Sequence, residues 1–85
     1  MDACDGVHLK MGTKVAELES IVANAGYEIE VSADSTKTKI LLRQKDGRNR
    51  FSSEYASGYI SAHNRYHYAL TAAVTLLESY LKRLG

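Results

Sequence analysis

Asp46-Gly47 stands between two runs of strand-forming residues, and the pairing those runs must adopt around it limits the fold more than any other stretch of the chain. A two-residue type I′ turn needs positive φ at both central positions, which Asp-Gly accommodates. A strand over about Thr38 to Lys45 and the strand after Gly47 then form a hairpin. In it Lys45 faces Arg48, Gln44 faces Asn49, Arg43 faces Arg50, Leu42 faces Phe51 and Ile40 faces Ser53. The apolar pattern agrees with the turn, because Leu42 meets Phe51 on the face that also carries Ile40.

Upstream, Tyr27, Ile29 and Val31 alternate with Glu28, Glu30 and Ser32, a period of two that marks a further strand, and the polar stretch Ala33 to Lys37 reads as a loop. Helical spacing appears on both sides of the sheet. Val15, Leu18, Val22 and Ala25 recur at three- and four-residue steps between a capping Thr13 and a closing Gly26, which predicts a helix over about residues 14 to 25. Tyr66, Leu70, Ala73, Leu77, Leu81 and Leu84 form the stripe of a long second helix that Ser61 can cap and that Lys82 and Arg83 suit at its C-terminus. Residues 6 to 12 fit either an extension of the first helix or a strand. The expected fold is therefore α+β with the order αβββα: a three-stranded antiparallel sheet with both helices packed on one face. The chain divides into an N-terminal tail or helix extension, residues 1 to 12, and a single domain, residues 13 to 85.

With Asn24-Ala25-Gly26-Tyr27-Glu28 leading from the first helix into the sheet, this order resembles double-stranded-RNA-binding domains and the HicA toxin fold. The resemblance covers about residues 13 to 84 and implies a fold only. His63-Asn64-Arg65-Tyr66-His67 stands where the RNA-binding family has a basic lysine cluster, and no Gly-Ser-His of the HicA type occurs between Ser32 and Thr38, so no functional residue is carried over.

Eighty-five residues, 45% of them hydrophobic and 25% charged, suffice for one small core and leave no room for a second. The single cysteine, Cys4, cannot form an internal disulfide, which points to a reducing, cytoplasmic compartment. Met1 to Asp5 is acidic with no apolar run behind it, and Tyr68 to Leu77 is too short to span a bilayer, so neither a secretory signal nor a membrane segment is expected.

The net charge of +1 hides an asymmetry. Lys37, Lys39, Arg43, Lys45, Arg48 and Arg50 lie in one short block with only Asp46 against them, while Glu17, Glu19, Glu28 and Glu30 sit upstream. The register places Arg43 opposite Arg50 and Lys45 opposite Arg48, a like-charge arrangement that is unfavourable in isolation. Two readings follow. Glu28 and Glu30 on the neighbouring strand can neutralise part of the block and water the rest, or the block is a docking face for phosphates or an acidic protein surface.

Four of the six tyrosines, Tyr55, Tyr59, Tyr66 and Tyr68, fall around the entry to the second helix. Tyr66 belongs to the core stripe, whereas Tyr55, Tyr59 and Tyr68 either close the ends of the core or anchor an interface. His63 and His67 share a helix face, but asparagine at position 64 lacks the general base of a His-Glu-x-x-His peptidase and no third ligand is evident, so no metal or other cofactor is expected. With no glycine-rich phosphate loop or nucleophile elbow, the chain reads as non-enzymatic. The expected function is a binding module for nucleic acid or a nucleoprotein, using the basic hairpin with Tyr55, Tyr59, His63, Arg65 and Tyr68 at its rim. The alternative is a compact protein inhibitor or adaptor, such as a phage-encoded anti-defence protein of the anti-CRISPR kind, that blocks a nucleic-acid-processing enzyme.

Overall fold

A computed structural model describes residues 13 to 84, so the expectations for Cys4 and for residues 6 to 12 lie outside the described residues. The elements are α1 (Val15–Asn24), β1 (Tyr27–Ala33), β2 (Lys37–Gln44), β3 (Arg50–Ala56) and α2 (Ala62–Leu84). They form an antiparallel sheet in the order β1-β2-β3 with both helices on one face, the expected αβββα arrangement. α1 lies on β1, and α2 packs on both β2 and β3. The two helices run in the same direction, since His67 meets Thr13 just ahead of α1 while Ile21 near its end shares a groove with Thr75, Glu78 and Leu81.

The helix ends follow from local hydrogen bonding. The N-cap of α1 is Lys14 rather than the expected Thr13, and the Glu17 carboxylate three residues on accepts the Lys14 N–H at 3.3 Å. Its C-terminus closes as expected on Gly26, whose φ of +84° lets the chain reverse into β1. Ser61 caps α2, its hydroxyl accepting the Asn64 N–H at 3.1 Å.

The core consists of Leu18, Val22, Tyr27, Ile40, Leu42, Ala69, Leu70, Ala73, Val74 and Leu77. Phe51 is half-buried and closes one margin of it, with its ring centroid 5.8 Å from Tyr27 and 5.3 Å from Tyr80. Val31 lies on the expected core face opposite Ile40 but is 51% exposed there. α1 packs on β1 but leaves Val31 largely open to solvent.

The hairpin keeps the expected register and changes its turn. Arg43 pairs with Arg50, Leu42 with Phe51 and Ile40 with Ser53. Lys45 and Arg48, however, do not form a closing pair. The Gln44 N–H bonds the Asn49 carbonyl at 2.9 Å, the Gly47 N–H bonds the Gln44 carbonyl at 2.7 Å, and Gly47 has a positive φ of +83°. Backbone phase explains the difference. Since Gln44 turns its N–H toward β3, Lys45 must turn its own toward β1, where it bonds the Gly26 carbonyl at 3.0 Å. A two-residue turn needs its flanking pair to exchange hydrogen bonds, and Lys45 is out of phase for that.

Candidate functional site

The helix-free face of the sheet is built from alternate residues: Glu28, Glu30 and Ser32 on β1, Lys37, Lys39, Leu41 and Arg43 on β2, and Arg50, Ser52, Glu54 and Ala56 on β3. Register sets the neighbours of each charge. Arg43 lies between Glu28 and Arg50, and its Nη2 reaches Glu30 Oε2 at 2.7 Å and Glu28 Oε1 at 3.5 Å. All three side chains are about half exposed, so the bridge adds little stability but occupies the guanidinium. The acidic residues of β1 therefore neutralise Arg43 alone. Lys37, Lys39, Lys45, Arg48 and Arg50 are exposed and have no ion-pair partner among the described residues.

The free cations divide into two groups. Lys45, Arg48 and Arg50 cluster at the turn, and Asp46 there is already engaged, accepting the Arg48 N–H at 3.0 Å. Lys39 faces Glu54 across the β2–β3 pair. Lys37 sits at the far end beside Asp34, whose carboxylate accepts the Thr36 N–H at 2.9 Å and the Lys37 N–H at 2.8 Å. Those two backbone bonds, Thr36 first, hold the Asp34 carboxyl below the usual carboxylate range.

Tyr55, Tyr59, His63, Arg65 and Tyr68 do not ring the turn. They belong to the opposite end of the sheet, where the loop after β3 meets Thr36 through the Ser57 N–H at 2.8 Å, about 20 Å from the turn along the strands. Tyr59 is 99% exposed, while Tyr55 stacks on Tyr68 at a centroid distance of 4.8 Å. Arg65, expected at the rim, is 5% exposed, and its Nη1 donates to the Ser57 carbonyl at 2.8 Å and the Ile60 carbonyl at 2.7 Å. It fastens the loop to α2 and is withdrawn from any ligand. His63 is exposed, whereas His67 is half-buried and its Nε2 donates to the Thr13 carbonyl at 2.8 Å. Among the described residues no group of three His, Cys, Asp or Glu side chains could hold a metal.

Several structural contacts escaped the sequence reading. The Tyr66 hydroxyl reaches across to Glu19 at 2.8 Å, and burial, then this carboxylate, pushes the phenol up to about 12. Asn49 bridges Gln44 and Tyr80, tying the turn to α2. Arg65 could have been recognised, because it precedes Ala69 and Ala73 by four and eight residues and so shares their inward stripe. Nothing in the sequence alone announces the other two. Comparison with protein-family models, with curated proteins and with solved structures found no match.

Proposed function

We propose that this chain is a non-enzymatic binding module that takes the phosphates of a nucleic acid, free or within a nucleoprotein, at the β2–β3 turn. The supporting observation is the group of exposed, unpaired cations Lys45, Arg48 and Arg50 beside a neutralised Arg43. Guanidinium and ammonium groups that lack an internal partner gain most when a phosphate displaces water, and the bound counterions released add to the affinity. Lys39, opposite Glu54, lies beyond Leu41 and the neutralised Arg43 and is not part of this group. Catalysis is not part of the proposal, since Arg65 and His67 are both committed to backbone carbonyls. A reducing cytoplasm, where such partners are found, also suits a chain whose only cysteine is Cys4.

Tyr59 favours a second reading. An aromatic ring 99% exposed at the other end of the sheet suits a protein pocket, as in an inhibitor of a nucleic-acid-processing enzyme. The two are separated by fluorescence polarisation with labelled duplex and single-stranded oligonucleotides. On the first reading binding is measurable and the Lys45→Glu/Arg48→Glu variant abolishes it, with folding unchanged. Absence of oligonucleotide binding at low salt, together with a salt-resistant partner captured through Tyr59, would replace it with the second.

A further inference from the structure

We infer that β3 is a self-complementary edge on which a second copy of this chain docks, extending the sheet across a two-fold axis at Ser52. The inference shares Arg50 with the basic turn but does not rest on phosphate binding there, which Lys45 and Arg48 would still carry in the dimer.

Backbone phase shows what the edge offers. The bonds Gln44 N–H to Asn49 and Ser57 N–H to Thr36 place residues 49, 51, 53, 55 and 57 with their polar backbone toward β2. Arg50, Ser52, Glu54 and Ala56 consequently turn their N–H and C=O groups outward, where no strand of this chain lies. An antiparallel copy with Ser52 opposite its own counterpart closes about six of these bonds.

The same register solves a charge problem. Arg50 and Glu54 flank Ser52 on the open face, both exposed and both without an ion-pair partner among the described residues. About the Ser52 axis, Arg50 of each copy falls directly opposite Glu54 of the other, and cross-strand pairs of opposite charge are favourable. The other edge behaves differently. β1 paired with itself about Ile29 would set Glu28 against Glu30 of the copy, and those carboxylates already serve Arg43.

The helix layer fits as well. Tyr68 stacks on Tyr55 and Tyr80 on Phe51, so the stripe of α2 that flanks β3 runs through Ala72 and Leu76. Leu76 is 47% exposed and Tyr55 39% exposed, and α1 lies on the opposite flank over β1. Because Ser53 bonds the Ala69 carbonyl while Phe51 meets Tyr80, Ala72 and Leu76 stand at the level of the axis. With strands about 4.8 Å apart and α2 seated over β2 and β3, the two α2 axes would lie about 10 Å apart, the separation at which helices pack. A closed isologous dimer would thus cover the strand edge and the exposed leucine together, and leave Lys45 and Arg48 of the two copies at opposite ends of a six-stranded sheet.

Sedimentation equilibrium on the full chain tests this. The expected result is a dimer that Arg50→Glu or Glu54→Arg each weakens about tenfold or more, because each change acts twice in a symmetric interface. The Arg50→Glu/Glu54→Arg exchange should restore it, and Leu76→Lys, at a site exposed in the monomer, should dissociate it while the circular dichroism spectrum stays that of the folded chain. Lys45→Glu/Arg48→Glu should leave it intact, which separates this interface from the phosphate site. A chain that stays monomeric at every accessible concentration, a dimer indifferent to both single reversals, or an exchange variant that fails to recover would overturn the inference.

Discussion

Replacing Arg65 with methionine should unfold the chain more readily than any change on the open face of the sheet. Methionine retains most of the aliphatic stem but removes the Nη1 group that donates to the Ser57 and Ile60 carbonyls at 2.8 and 2.7 Å. Hydrogen bonds from a charged donor are each worth about 1.5 to 3 kcal/mol, so the pair accounts for about 3 to 6 kcal/mol. Part of this is offset. Arg65 Nε is buried without a partner, and its removal relieves a desolvation cost of about 1 to 3 kcal/mol. Ser57 and Ile60 are only half-buried, so water can reach the abandoned carbonyls. The net loss should be about 2 to 4 kcal/mol, a large fraction of the roughly 4 to 13 kcal/mol expected for a domain of this length. Thermal unfolding followed by circular dichroism should show a fall in Tm of about 10 °C or more. A loss below about 0.5 kcal/mol, with weakened partner binding, would mean that the guanidinium lies on the surface as a ligand contact and that the loop is held by something else.

Leu42→Ala should cost about 2 to 5 kcal/mol in urea denaturation, since Leu42 is fully buried at the centre of the sheet; a loss under about 1 kcal/mol would contradict its placement. Gly47→Ala should cost about 1 to 2 kcal/mol through its φ of +83° alone, because a Cβ there meets nothing within 4 Å, and Gly47→Asn should recover part of the loss. Tyrosinate absorbance should reveal a phenol with a midpoint near 12 that is absent in Tyr66→Phe and moves part way toward 10.0 in Glu19→Gln. As the folded value is raised, the stabilisation from this contact is complete below the unfolded value of about 10 and disappears as pH rises through about 12. An unchanged midpoint in Glu19→Gln would remove the carboxylate from the account.

Periodicity carried much of the fold because each element buries one face. The alternation of Tyr27 and Ile29, the match of Leu42 with Phe51 and the stripe from Tyr66 to Leu77 are one-dimensional patterns that burial imposes. The turn was less legible. Whether Lys45 can close a two-residue turn depends on which side of β2 the third strand lies, since that decides the edge toward which each N–H points. Residue type does not record it. The candidate site suffered for a related reason. Lys37 and Arg48 are close in sequence, as are Tyr55 and Arg50, yet an extended strand separates its ends by about 3.3 Å per residue, so one basic block became a turn cluster and a distant remainder. The sequence marks Glu28 and Glu30 as able to neutralise the block, but that they concentrate on Arg43 depends on rotamers as well as register.

The proposed role of the turn is tested most directly by the salt dependence of oligonucleotide binding in the wild type and in Lys45→Gln/Arg48→Gln. Each phosphate neutralised on a duplex contributes about −0.9 to the slope of log K against log salt concentration, so removing two cations should flatten the slope by about 1.8. Lys37→Gln, at the other end of the sheet, should change it by less than one such step. Slopes that coincide for the wild type and the double variant, with equal affinities at low salt, would contradict phosphate binding at Lys45 and Arg48.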